Sequence, residues 1–256
     1  VTPLPRAEDF ERMYDRGAYH DVHYAEVGDT EELRASLEFL GARAAGGRLL
    51  DFGAGNGAFL LAAGRRGYTA RGVEQGATSI ALARQNSGLE VGSLAEVEQS
   101  GDRFDIIHLA DVLEHLPQPG TILQRLSRLL APGGVFFLEG PLEKQRSLVY
   151  HFASTLKAAR RRLHLDRDGD FPPYHLTATD WRCQAHFFEA VMGYTLHERA
   201  LYETAWPYPA GIDRTAGLAR NVRGAVGRAA IAVATTGLGK RLGFGNRFRV
   251  IAEPAS

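Results

Sequence analysis

Cysteine is nearly absent from this 256-residue chain. With Cys183 alone no internal disulfide forms and no Cys/His cluster has zinc-ligand spacing, so a reducing cytoplasm is the expected compartment. Long apolar runs are missing too, since no stretch approaches the ~18 residues of a membrane span. The first residues mix acids and aromatics where a secretory leader needs a cationic start and an apolar run, so the chain is expected to be neither exported nor membrane-spanning. Net charge is absent as well: 30 Lys and Arg balance 30 Asp and Glu, which leaves no overall basic footprint for nucleic acid. The balance hides an asymmetry. Residues 1–130 hold 13 basic and 19 acidic side chains, and residues 131–256 hold 17 and 11. Between Arg214 and Arg249 there are eight basic residues and no acid, a stretch that suits either a solvated basic face or contact with an anionic partner such as a membrane surface.

What is present is a repeated strand-helix pattern in a chain with 45% apolar residues, enough for a full core. Leu33, Leu37 and Leu40 recur at helical spacing after Asp29-Thr30, a cap signal. Arg48–Phe52 is a short apolar strand that runs into Gly53-Ala54-Gly55-Asn56-Gly57, and a helix follows from Ala58. Strands are expected again at 70–74, 89–92, 104–109 and 135–139, with helices at 78–85 and 119–130. This alternation predicts an open parallel α/β sheet with helices on both faces. The rhythm breaks at residues 143–172, where Leu148, Phe152, Leu156, Ala159 and Leu163 mark an inserted amphipathic helix. A helix from Thr179-Asp180 to Val191, a strand at 194–202, a Gly/Ala-rich helical segment within 211–245 and a last strand at 246–252 complete the chain.

A strand feeding Gly-x-Gly-x-Gly and a helix brings bare backbone close to a ligand. A pyrophosphate-binding loop needs Gly-x-Gly-x-x-Gly, and Asp51 directly before this loop repels phosphate and suits a cationic ligand. Glu74, 19 residues beyond Gly55 at the end of the second strand, has the carboxylate that accepts from both ribose hydroxyls. Together these features indicate a nucleoside carrying positive charge.

The ordered segments Leu49–Leu60, Gly72-Val73-Glu74-Gln75, Phe104–Leu116 and Leu129–Pro141 resemble the signature of class I, Rossmann-like S-adenosylmethionine-dependent methyltransferases. Asp111-Val112-Leu113-Glu114-His115-Leu116 is similar to the subgroup of quinone-biosynthesis-type small-molecule O-methyltransferases. The resemblance implies a seven-stranded sheet in the order 3-2-1-4-5-7-6 with its seventh strand antiparallel; the expected division is an N-terminal helical cover over residues 1–47 and the methyltransferase domain over 48–256. It implies S-adenosylmethionine as cofactor and S-adenosylhomocysteine as product. Gly53, Ala54 and Gly55 would approach the methionine moiety, Asp51 would organise that end, Glu74 would bind ribose and Gln75 would lie against adenine. Where the family has Gly-Asp this chain has Gly92-Ser93-Leu94, whose serine would bond the adenine amino group, and Ala110 would offer its carbonyl to the ammonium. Tyr14, Tyr19 and Tyr24 read either as a cover over the cofactor or as helix packing.

Methyl transfer to a hydroxyl benefits from a general base, and histidine suits that work. His175 is the preferred base, with helix entry as its other reading; His115 is the second candidate, with an orienting role as its other reading. Tyr174 and Trp181 read as an aromatic wall or as core. Asp111, Glu114, His115 and His175 resemble in order the metal site of small-RNA 2′-O-methyltransferases, but Asp111 replaces a Glu there and the segment after Glu139 departs from that family, so no metal is expected. The expected acceptor is a small molecule methylated on a hydroxyl. A lipid-linked or glycan intermediate, an RNA, and cofactor binding without catalysis are the competing readings.

Overall fold

The computed structural model describes residues 30–162, 175–205 and 218–255. Within them, seven strands form one sheet in the order β3-β2-β1-β4-β5-β7-β6. The strands are β1 (Gly47–Phe52), β2 (Tyr68–Val73), β3 (Val91–Gly92), β4 (Phe104–Ala110), β5 (Leu130–Pro141), β6 (Thr195–Tyr202) and β7 (Arg247–Glu253). The first five pair in parallel, and β7 runs antiparallel between β5 and β6. The strand order and the antiparallel β7 are those the family resemblance implied.

Helices α1 (Glu31–Arg43), α2 (Ala58–Arg65) and α3 (Ala77–Ser87) cover one face of the sheet; α4 (Leu94–Ser100), α5 (Pro119–Ser127) and α7 (Trp181–His186) cover the other. Alternation along the strands makes this possible. Leu49, Ile106, Phe137 and Ile251 point to the α1 side, while Leu50, Ile107, Phe136 and Leu138 point to the α5 side. All eight are fully buried, and burial of this kind stabilises by roughly 1.5–3 kcal/mol per side chain. Thr30 starts α1 as its side chain accepts from the Leu33 amide at 3.1 Å, as the cap signal predicted.

Three boundaries differ from the sequence reading. The ladder between β4 and β5 begins at Phe104 and Leu130, so α5 ends at Ser127 and β5 starts before the Pro132-Gly133-Gly134 turn, with a register shift before Ile106. Helix α4, unread in the sequence, begins with a capping box between Ser93 and Glu96. Helix α7 continues as a π turn over Phe187–Val191. The insertion is helical as α6 (Leu148–Arg162), and the C-terminal segment forms α8 (Leu218–Thr235) and α9 (Gly237–Arg241). Tyr14, Tyr19, Tyr24 and Tyr174 lie outside the described residues.

Candidate active site

The loop after β1 is held through its own backbone groups. The amides of Gly53 and Ala54 both donate to the Val73 carbonyl, at 2.8 and 3.0 Å, which ties the loop to the end of β2. Gly53, Gly55 and Gly57 all adopt positive φ, which glycine reaches without strain. A β-carbon on Gly53 would lie 2.5 Å from Val112 Cγ2, so the loop and the turn after β4 approach as closely as bare backbone allows. Glu74 stands directly above this loop. Its carboxylate accepts from the Gly55 amide and the Gln75 amide, both at 2.7 Å, and it is only partly exposed. Burial pushes its pKa up against those two hydrogen bonds. Gln75 is exposed beside it.

Asp51 turns away from the loop. It lies opposite His108 in the β1–β4 register, and its Oδ1 pairs with His108 Nδ1 at 2.8 Å. His108 Nε2 reaches Glu139 Oε1 at 3.2 Å, and Glu139 Oε2 accepts from Ser36 Oγ at 2.8 Å and from Arg249 Nε. The whole cluster is sealed between the sheet and α1, with His108 stacked between Phe59 and Phe137. Burial lowers the His108 pKa, but the two carboxylates outweigh it and raise it to about 9. Glu139 is likewise held below the ordinary carboxylate range, because His108, Arg249 and Ser36 outweigh its burial. None of His108, Glu139, Arg249 and Ser36 was singled out from sequence. The available signal was a polar residue at alternate positions of otherwise apolar strands.

Ser93 and Leu94 lie at the end of β3, yet the Ser93 hydroxyl is engaged with Glu96: its Oγ donates to Oε2 at 3.0 Å and accepts the Glu96 amide at 3.3 Å. Leu94 is partly buried against the core. Ala110 ends β4, and the next residue, Asp111, is the one described non-glycine residue with positive φ, at 53°. Both Asp111 carboxylate oxygens accept from Arg247 Nη2, at 2.8 and 2.7 Å, and Arg247 Nε pairs with Glu32 Oε1 at 3.0 Å. This cation from β7 holds the strained turn that leads into Glu114 and His115.

That turn and the start of the insertion bring a second acid–histidine cluster together. The Leu176 amide donates to the Glu114 carbonyl at 2.8 Å, which fixes the segment carrying His175 beside His115; the two rings lie edge to face with centroids 4.8 Å apart. His175 Nδ1 pairs with Glu143 Oε1 at 2.8 Å, while His175 Nε2 lies 4.0 Å from Glu114 Oε1. Glu114 is buried, and its Oε1 has no hydrogen-bond partner among the described residues. Burial, then the charge of Asp111, lifts its pKa to about 8. Burial lowers the His175 pKa, but the bond to Glu143 and the charge of Glu114 outweigh it, so it ends above the ordinary histidine value.

Glu143 and Arg247 were not read as site residues in the sequence. Of the four groups weighed as metal ligands, Glu114, His115 and His175 each place one ligand atom within 4.8 Å of the others, whereas Asp111 is paired with Arg247. Trp181 is core rather than wall: it is buried, 5.7 Å between centroids from Phe248, with Arg199 over its ring.

Among families of known proteins, the one described as "Methyltransferase domain" matches residues 23–203. A "Ubiquinone biosynthesis O-methyltransferase" of Pseudomonas aeruginosa is 29% identical over 138 residues, and that of Pseudomonas putida is 33% identical over 139 residues. The matches cover 50% and 49% of this chain, and 59% and 56% of those relatives. Two solved structures share the fold over almost the whole chain. Magnesium protoporphyrin IX methyltransferase from Synechocystis PCC 6803, with bound SAH, is 12% identical with a TM-score of 0.59, covering 97% of this chain and 100% of that one. The [4+2]-cyclase SpnF is 16% identical with a TM-score of 0.61, covering 99% of each chain. A cyclase on this fold shows that the reaction has to be argued from the site.

Proposed function

On the premise that this chain belongs to the methyltransferase-domain family, we propose that it transfers a methyl group from S-adenosylmethionine to a hydroxyl of a small molecule. The observation that carries this reading is the His175–Glu143 pair beside the turn after β4, at the carboxyl ends of the parallel strands where ligands bind in such sheets. The ubiquinone O-methyltransferases among its relatives make phenolic and catechol hydroxyls the first acceptors to try.

The residues present fit that cofactor. Gly53, Ala54 and Gly55 supply bare backbone, Gln75 is exposed at the end of β2, and the Glu74 carboxylate keeps lone pairs beyond its two amide bonds for a ribose diol. We assign Ala110 to the ammonium end. Ser93 and Leu94 form the weaker adenine contact, because the serine hydroxyl already caps α4. Asp51 acts from behind the loop, through the strand end it anchors to His108. S-adenosylmethionine, when bound, supplies an electrophilic methyl group on a sulfonium. The chain's own work is to place the acceptor oxygen in line and take its proton. With Nδ1–H donated to Glu143, the bare Nε2 of His175 accepts that proton, and His115 orients the ring across the edge-to-face contact. The insertion over residues 143–172 is assigned to the acceptor side through its described part, 143–162; residues 163–172 lie outside the described residues.

Thermal unfolding with S-adenosylhomocysteine and with NAD tests the cofactor, since a ligand that binds only the native state raises Tm. A shift with S-adenosylhomocysteine alone is expected, and no shift removes the reading. For the base, turnover of a catechol panel is followed by S-adenosylhomocysteine release. His175→Ala is expected to lose about 10²- to 10⁴-fold in turnover with S-adenosylhomocysteine binding retained. Turnover in chelator separates this reading from a divalent cation on Glu114, His115 and His175: the base needs no metal, so loss in chelator favours the cation.

A further inference from the structure

We propose that the outer face of α8 and α9 is a docking surface for an anionic lipid bilayer. Four of the five large apolar side chains exposed among the described residues, Val222, Val233, Leu238 and Leu242, lie on or just after these two helices. They are not scattered. Along α8 the exposed positions Val222, Ala225, Ala229 and Val233 recur at spacings of three and four, so they form one stripe. The opposite side is also apolar: Gly224, Gly227, Ala230 and Ala234 are buried, and a β-carbon on Gly227 would lie 2.8 Å from Ala205. A surface helix that faces only water has a polar outer side, so this one is built for a second apolar environment.

Charge identifies that environment. Helices α8 and α9 carry no acid, and Arg228, Lys240 and Arg241 are exposed beside the stripe. A two-fold contact with a second copy would set this cationic stretch against itself. A bilayer with anionic headgroups complements both the cations and the apolar stripe. No described helix is long and apolar enough to cross a membrane, so the contact is peripheral. The surface is coupled to the acceptor side. Gln145 Nε2 donates to the Gly243 carbonyl at 2.7 Å, and the Gly245 amide donates to the Arg146 carbonyl at 2.9 Å. Both staples begin two or three residues after Glu143, so docking would bring the mouth holding His175 close to the headgroups.

Co-sedimentation of the full chain with phosphatidylcholine vesicles, with and without about one third phosphatidylglycerol, tests this directly. At least about tenfold tighter binding to the anionic vesicles is expected, weakening as salt rises. The double variant Val233→Asp/Leu238→Asp should lose this binding with Tm unchanged, since both side chains are exposed. Arg228→Glu/Lys240→Glu should lose the preference for phosphatidylglycerol. Equal binding to both vesicles, binding to neither, or wild-type binding by the aspartate variant overturns the proposal. So does a dimer that the aspartate variant dissolves. None of these readouts depends on methyl transfer, so the proposal and the assignment of function fail separately.

Discussion

His108 and His175 are both imidazoles set between carboxylates and both are held toward their protonated form, yet the two clusters are built for opposite ends. His108 lies between Asp51 and Glu139 with each ring nitrogen paired, and Arg249 and Ser36 complete the carboxylate on the far side. It is sealed by Phe59, Phe137 and α1. His175 has one nitrogen paired with Glu143 and the other 4.0 Å from a buried carboxyl oxygen that has no hydrogen-bond partner among the described residues. A satisfied buried network fixes structure, whereas an incompletely satisfied one leaves capacity to hold and move a proton. The first cluster joins α1 to four strands; the second is the one we propose receives the acceptor's proton.

Breaking the first cluster should have the largest effect on the fold. His108→Leu leaves Asp51 buried without its partner and should cost about 3–5 kcal/mol of unfolding free energy by urea titration. With S-adenosylmethionine saturating, so that any loosening of the loop behind Asp51 is masked, the turnover of the remaining folded protein should change little, the reverse of His175→Ala. A loss of turnover in His108→Leu that exceeds its loss of folded protein would place the two clusters on one pathway. Next, Glu74→Ala removes the charged acceptor at the cofactor end and should weaken S-adenosylhomocysteine binding by about 1.5–3 kcal/mol in calorimetry. An unchanged affinity would move the cofactor off that carboxylate.

The two histidines also separate by pH. A histidine whose folded pKa is raised contributes stability that is fully present below its unfolded value of about 6.5 and is lost as pH rises through the folded value. For His108 the folded value is about 9, so stability should fall between about pH 6.5 and 9, and His108→Leu should flatten that slope. His175 must be neutral to accept a proton, so turnover should rise with pH along a limb above the ordinary histidine value. Glu143→Gln removes a group that raises that pKa. The limb should then move to lower pH, with the plateau largely kept. A limb that stays in place would take the carboxylate out of the base's control.

The geometry of the loop after β1 and of Glu74, the end we propose for the cofactor, was legible in the sequence because its parts are local. Gly53, Gly55 and Gly57 act through backbone conformation that glycine alone adopts at no cost, and Glu74 is placed by the length of one β-α-β unit. The acceptor end was half legible. His175 and His115 stood out as residue types, but their partners did not: Glu143 is 32 residues from His175, and Arg247 is 136 from Asp111. The start of β5 was misplaced because a register shift, invisible in apolar periodicity, lets Leu130 pair before the glycine turn. The capping box Ser93-x-x-Glu96 was readable as a helix start, and the reading of Ser93 as a ligand residue obscured it.

By itself, then, the sequence determined the sheet and the loop after β1, since alternation of apolar residues and positive-φ glycines act within a few residues of themselves. Only tertiary structure decided what Asp51, Arg247 and Arg249 do. Each is a charge whose role depends on which opposite charge the fold places beside it: strand register sets His108 across from Asp51 and Glu139 across from Arg249, and the turn after β4 brings Asp111 to Arg247. In a low-dielectric interior those pairings outweigh anything a side chain does alone.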